Sequence, residues 1–336
     1  MHEHLYYCDA TDLATLVRSK QVSPIEITRA HLDRIQWLNP RLNALVTLNE
    51  SAMEEARAAE AALMRGESLG PLHGVPFTAK DSLDTAGLRT VRGSRLFSGY
   101  VPAVDASAVA RVKAAGGIVL GKTNVPEFSF ARESENAVFG RTVNPWNPRR
   151  TPGGSTGGEA AAIAAGLSPL GLGSDVAISI RGPAHYCGVV GLKATHGRIP
   201  LTGHWPNSLR RFWHVGPLAR SIRDAALALN ILAGPDGQDG YALPLSAPAG
   251  TLHLDRLREY RVGWMATKGF GPVDPDVIAT VARAADVLQR LGCEVVPVEL
   301  PNLEQCDGNI LSATLFGCEA MPFAAWSPAA SVSCTP

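Results

Sequence analysis

Apolar residues in "SPIEITRAHLDRIQWLNP" recur with a helical period: Ile25, Ala30, Leu32, Ile35 and Leu38 share one broad face. Ser23 stands at the N-cap position, Pro24 in the first turn and Glu26 three residues on. Together these form a capping box, and Pro40 is the expected stop. "ALVTL" then reads as a strand. "ESAMEEARAAEAALMRG" reads as a second helix ended by Gly66.

From there strands and helices alternate. "GVPFTA" is a short apolar strand ending at Lys80, "DASAVARVKAAGG" a helix capped by Asp105, and "IVLGK" a strand that carries Lys122. "GEAAAIAAG" is a small-residue helix and "PLGLGSD" leads toward Ser179. "SIRDAALALNILAG" repeats the capping-box logic with Ser221 and Asp224. "YRVGWM", a helix capped by Asp274 with Pro275 in its first turn, and "CEVVPVEL" form a strand–helix–strand unit. This order predicts an α/β fold: a mixed, largely parallel twisted sheet covered by helices on both faces. Residues 1–326 read as one domain with a helical N-terminal segment over about 1–66, and 327–336 as a disordered tail.

Composition narrows the class of function. Of 336 residues, 46% are hydrophobic and 18% charged, which suits a sizeable core. Lys plus Arg (31) balances Asp plus Glu (31), so no net field favours nucleic acid or an anionic membrane. Cys8, Cys187, Cys293, Cys306, Cys318 and Cys334 are scattered, without CxxC pairs, and read as reduced thiols of a cytoplasmic protein. No metal site or cofactor is expected. "MHEHLYYCDATDL" lacks a basic start followed by an apolar run, so it does not read as a signal peptide. Ala160–Ser174 is too short and too glycine-rich to span a bilayer.

The candidate chemistry lies in "PGGSTGGE" and "DVAISIR". Ser155 sits between two glycine pairs, and Ser179 follows 24 residues later. A serine hydroxyl is a poor nucleophile until a base takes its proton. Lys80 and Lys122 both end apolar strands, where an α/β sheet opens into its ligand crevice, and the local pattern does not choose between them. His185, His196, His204 and His214 are other bases near the serines, and none has a context that favours it. Either lysine would need burial to be neutral, since burial can lower an ammonium pKa by ~3–5 units. A phosphate cradle at "GGSTGG" is disfavoured because no Gly-Lys-Ser/Thr follows. Trp205, Phe212 and Trp213 read as core residues first and acyl-pocket lining second.

"GVPFTAKD", "NPWNPRRTPGGSTGGEAAAIAAG" and "GSDVAISIRGPAHYCGVVGLKAT", in that order, resemble the amidase signature family. "LGKTNVPEF", "ENAVFGRTVNPWNP" and "GPLARSIRDAALALNILAG" resemble its connecting segments, and the likeness runs from about residue 10 to about residue 300. The resemblance implies the amidase signature fold and a Ser–Ser–Lys triad. Ser179 would be the nucleophile, Ser155 the bridging hydroxyl after a cis peptide bond, and Lys80 the base. It also implies an oxyanion hole of backbone N–H groups over Val176, Ala177, Ile178 and Ser179, with Thr156, Asp175 and Arg181 in support.

The implied activity is hydrolysis of the C–N bond of a small carboxamide through an acyl-enzyme. Two alternatives stand beside it: a catalytically impaired homologue acting as a binding protein, and an A-subunit-like component of a glutamine amidotransferase. The implied partner is a small amide, with nucleic acid only in the amidotransferase variant, no membrane, and a homodimer as the assembly to consider. This chain departs from the family where two glycines usually precede the nucleophile, because Ala177 and Ile178 stand there. Isoleucine resists the backbone angles that glycine permits. The chain also stops after "AAWSPAASVSCTP", where family members add strands and helices to the sheet, so late strands are expected to be missing through truncation or frameshift.

Overall fold

The computed structural model describes residues 2–67, 69–244, 254–265 and 272–300. They fall in two compact units, one within Met1–Pro248 and one within Ala249–Pro336, where the sequence pattern predicts one domain over 1–326. The helix-like 309–323 segment, the 327–336 tail, and Cys306, Cys318 and Cys334 lie outside the described residues.

The first unit opens with α1 (Ala10–Arg18), α2 (Pro24–Leu42), β1 (Leu45–Leu48) and α3 (Ala52–Arg65). There follow β2 (Pro76–Lys80), α4 (Ser107–Ala114), β3 (Ile118–Thr123) and the short pair β4 (Glu135–Asn136) and β5 (Gly140–Arg141). Then come α5 (Gly157–Ala164), β6 (Leu170–Asp175), α6 (Arg181–Cys187), β7 (Val190–Gly191), β8 (His214–Ala219) and α7 (Ile222–Leu232). The main sheet has the order β1-β3-β2-β6-β8-β7. Its centre, β3-β2-β6, is parallel, and the pairs outside it are antiparallel. The parallel centre is where the candidate lysines end their strands.

Helix α5 is the keystone of the packing. Gly157–Ile163 are buried on every side, which a helix of glycine and alanine tolerates because small side chains let neighbours approach. Ala161 and Ala162 join Ile35, Leu42, Ile118, Leu120 and Leu167 in one core cluster. Ala160 and Ile163 face Ile180, Cys187 and Leu218 in a second.

Local signals explain most element boundaries. Ser23 accepts the Ile25 N–H while Glu26 reaches back to the Ser23 N–H, so the capping box is formed. Gly66 closes α3 in the left-handed conformation. Three expectations need correction. Pro40 does not stop α2, which runs on to Leu42: in the last turn a proline removes one N–H donor and keeps a helical φ, so the cost is small there. Asp105 does not cap α4, whose N-cap is Ala106; its carboxylate instead accepts from Ala86 N–H and Lys113. Ser221 caps α7 through the Asp224 N–H, but Asp224 gives its carboxylate to the Ala10 and Thr11 N–H groups that open α1. A carboxylate at a foreign helix N-terminus satisfies orphan donors and the local positive field together.

The second unit holds β9 (Arg261–Trp264), α8 (Pro275–Arg290) and β10 (Glu294–Pro297). The two strands pair in parallel, which needs a crossover, and α8 supplies it. Asp274 caps α8 by accepting the Asp276 N–H at 2.9 Å.

Candidate active site

Strand β2 brings Lys80 to the end of a fully buried stretch. Lys80 Nζ lies 2.7 Å from Ser155 Oγ, 3.0 Å from Ser174 Oγ and 3.3 Å from the Ser174 carbonyl oxygen. Lys80, Ser155 and Ser174 are each inaccessible to solvent. Burial lowers the Lys80 pKa to about 7, with Asp175 and Glu159 working against that fall. A neutral amine is therefore available near neutral pH, which is the condition for a lysine base.

The glycine pairs place Ser155 by letting backbones come close. Gly153 has φ +85, an angle that residues with a side chain rarely adopt. A Cβ on Gly158 would meet the Asn124 backbone at 2.5 Å. The Gly154–Ser155 peptide bond is cis, as the resemblance implied. Thr156 N–H donates to the Ser179 carbonyl at 3.1 Å, and Thr156 Oγ1 donates to the Ser174 carbonyl at 3.0 Å. These bonds tie the glycine-flanked segment to both ends of the loop that carries Ser179.

Ser179 follows β6 and shortly precedes α6, and it is 6% exposed. Among the described residues no hydrogen bond joins its hydroxyl to that of Ser155. The N–H groups of Ala177, Ile178 and Ser179 have no hydrogen-bond partner among the described residues; Ile180 N–H is the first to find one, on Asp175. Three free donors beside a hydroxyl suit the stabilisation of an oxyanion. Neither Ala177 nor Ile178 takes a left-handed φ, so the expected backbone resistance of Ile178 does not arise. Its side chain is 46% exposed and leans on α6, where a Cβ on Gly182 would meet Ile178 Cγ1 at 3.0 Å.

Asp175 and Arg181 act as the frame of this loop. Arg181 Nη2 reaches Asp175 Oδ1 at 2.9 Å and the Ala177 carbonyl at 2.6 Å. Burial would raise the Asp175 pKa, yet the bonds from Arg181 and the Ile180 N–H outweigh it and hold the carboxyl below its ordinary range. Asp175 is therefore an ionised anchor for this loop.

The alternatives for the base lie elsewhere. Lys122 donates to Thr85 Oγ1 at 2.8 Å and to the Leu83 carbonyl, on the loop after β2. His214 contacts the Asp175 carbonyl at 3.4 Å, and His196 packs against His214. His185 is exposed on α6. His204 is buried against Trp213, with ring centroids 4.8 Å apart. Among the described residues none of the four histidines hydrogen-bonds to Ser155 or Ser179. Trp213 is core, 1% exposed, with Lys80 Nζ 6.0 Å from its ring centroid. Trp205 packs on Phe97 and Arg92 and lines a cavity of about 520 Å3 with Arg92, Arg210 and His204. Phe212 is half-buried.

Two polar residues here are missed by reasoning from sequence. Ser174 is the polar residue just before the aspartate of "PLGLGSD", and Glu159 is the sole charge in "GGEAAAIAAG". Those are the available signals. Glu159 is fully buried, accepts from Thr123 Oγ1 at 2.8 Å and from Thr78 Oγ1, and has its pKa raised by burial to about 7.

A buried lysine on a serine hydroxyl, beside a second serine with free backbone donors, is chemically suited to acyl transfer. Residues 26–320 match the family model "Amidase", and the chain belongs to the amidase family. It is 40% identical over 305 residues to the A subunit of the glutamyl-tRNA(Gln) amidotransferase of Heliobacterium modesticaldum, covering 89% of this chain and 62% of that protein. The chain thus spans about six-tenths of the length of the curated relatives it matches. Among solved structures it resembles the peptide amidase of Stenotrophomonas maltophilia, with TM-score 0.80, 35% identity, and coverage of 88% of this chain and 62% of that one. It also resembles a bacterial aryl acylamidase of the amidase signature family, with TM-score 0.81, 30% identity, and coverage of 95% and 66%.

Proposed function

We propose that this chain cleaves a carboxamide C–N bond through a Ser–Ser–Lys relay. The observation that carries the reading is the 2.7 Å contact between Lys80 Nζ and Ser155 Oγ in a site closed to solvent. Neutral Lys80 takes the Ser155 proton as Ser155 takes that of Ser179, and Ser179 Oγ attacks the amide carbon. The carbonyl oxygen becomes an oxyanion among the N–H groups of the Ala177–Ser179 segment, a stabilisation worth roughly 2.7–4 kcal/mol per donor in hydrolases. The relay returns a proton to the leaving nitrogen, the C–N bond breaks, and water then releases the acyl group from Ser179. For the step to occur the Ser155 and Ser179 hydroxyls must meet, and catalytic hydrogen bonds often tighten only with substrate bound.

As to the amide, the comparisons favour an A-subunit-like role over a free-standing amidase. The curated relative is 40% identical, against 35% and 30% for the peptide amidase and the aryl acylamidase. In that role the substrate is glutamine, the released ammonia passes to a partner protein, and the site of action is the cytoplasm. No described helix is long and apolar enough to cross a membrane.

A fluorophosphonate probe tests the reaction without a choice of substrate: covalent labelling of Ser179, absent in Ser179→Ala, is expected. An unlabelled, well-folded protein would favour the impaired homologue. Glutaminase activity that rises with added partner proteins and acceptor tRNA identifies the amidotransferase role, whereas partner-independent hydrolysis of simple amides identifies the free-standing enzyme.

A further inference from the structure

We propose that Ser174 is a positioning residue for Lys80: it holds both N–H groups of the neutral amine and so turns the lone pair toward Ser155. This rests on the relay reading above. A neutral amine has two N–H donors and one lone pair. Lys80 Nζ has three oxygens within reach, at 2.7 Å (Ser155 Oγ), 3.0 Å (Ser174 Oγ) and 3.3 Å (Ser174 O). Two of the three belong to one residue. For Lys80 to take the Ser155 proton its lone pair must face Ser155 Oγ, so in the neutral form Ser155 O–H donates to the amine and the two amine N–H groups are left for the two Ser174 oxygens.

The rest of the network fixes Ser174 itself. It lies in β6 with no solvent access, and its carbonyl also accepts the Thr156 hydroxyl at 3.0 Å. That hydroxyl belongs to the residue after Ser155, so the acceptor pair and the bridging serine are tied to one frame. Without the Ser174 hydroxyl, one amine N–H loses its acceptor. The amine can then rotate, and its lone pair is no longer directed at Ser155. The ammonium form loses an acceptor as well, so the deprotonated form gains and the midpoint of Lys80 titration moves to lower pH.

The test compares the wild type with Ser174→Ala, Ser174→Cys and Ser174→Thr. Cysteine fills similar space with a weak acceptor and serves as the loss variant should the alanine protein not fold. The Lys80 amine is followed by NMR of protein labelled with 15N-lysine, assigned with Lys80→Met, while fluorophosphonate labelling of Ser179 is timed across pH. Loss of the hydroxyl is expected to move the Lys80 midpoint to lower pH and to slow labelling about tenfold or more, within the range that general-base catalysis supplies. Ser174→Thr should restore both. An unmoved Lys80 midpoint in a folded loss variant overturns the proposal, as does a folded threonine variant that behaves like the loss variant. If the wild type takes no label while its Lys80 midpoint still shifts on loss of the hydroxyl, the amidase reading fails and the positioning role stands.

Discussion

Lys80 and Lys122 stand on adjacent parallel strands one register step apart, and that step sends them to opposite faces of the sheet. Lys80 pairs with Thr123, and Lys122 with Ala79. Side chains alternate along a strand, so Lys80 shares its face with Thr78 and Thr123, whose hydroxyls bind Glu159 of α5. Lys122 is turned instead toward the Leu83 carbonyl and Thr85, and Asp81 is the foremost charge that opposes the fall in its pKa. One buried lysine meets the glycine-flanked serine, and the other braces the loop after β2.

The two lysines should therefore fail differently. Lys80→Met is expected to cut Ser179 labelling and turnover by about 10²–10⁴-fold with the fold intact, as loss of a general base does. Ser155→Ala should cost nearly as much, and the double variant little more than either, because the proposed relay makes the residues one unit. Lys122→Met should leave a correctly folded fraction competent but lower stability by roughly 1–3 kcal/mol, since the Leu83 carbonyl and Thr85 hydroxyl lose their donor. Urea melts beside labelling rates separate the two. Normal turnover in Lys80→Met would move the search for the base to His204, buried behind Trp213.

Activity should depend on pH through Lys80. A lysine base works only when neutral, and burial lowers the Lys80 pKa to about 7. The rate should thus fall about tenfold per unit as pH drops below about 7, and level off above it. A profile of kcat/KM from about pH 5 to about pH 9 reads this directly. An acid limb near the ordinary value of about 10.5 would mean a solvated lysine.

Much of the frame was legible because local physics fixes it. The Ser23–Glu26 box, the Gly66 terminator and the Asp274–Pro275 start each satisfy their own helix ends, whatever packs around them. The roles of Asp224 and Asp105 are not legible locally, because a carboxylate is free to serve a distant N–H, and only tertiary placement says which. The choice between Lys80 and Lys122 depended on strand register, which composition does not encode. Ser174 was hidden for the same reason: its value lies in where β6 lies beside β2.

The loop before Ser179 bears no backbone cost from its isoleucine. Ala177 and Ile178 take no angle reserved for glycine, and their N–H groups are already free. Replacing both with glycine should change kcat by less than about threefold and, through added chain entropy, lower stability by about 1–2 kcal/mol. Gly182→Ala should also cost little, since the new methyl would meet only Ile178 side-chain atoms, from 3.0 Å, and that half-exposed side chain has room to turn aside. Steady-state kinetics on a labelled amide check both. A large rise in kcat for the double glycine variant would mean that the donors are misplaced in the wild type.

Glu159 couples stability to pH. Its carboxyl is buried on α5 between the Thr78 and Thr123 hydroxyls, and burial raises its pKa from 4.5 to about 7. Between those values the folded state keeps a proton that the unfolded state releases. The unfolded state then binds fewer protons, so this group's contribution is fully present below about pH 4.5 and is lost as pH rises through about 7. Asp81, also raised by burial, acts in the same direction. Glu159→Gln keeps the shape and, like the protonated carboxyl, can donate to one threonine hydroxyl and accept from the other, but it cannot ionise. It should therefore melt close to the wild type at about pH 5 and above the wild type at about pH 7.5. Parallel thermal melts across that range give the comparison. If the wild type and the glutamine variant lose stability in step, Glu159 is ionised throughout, and the carboxylate would then be held by the nearby charges of Lys122 and Lys80.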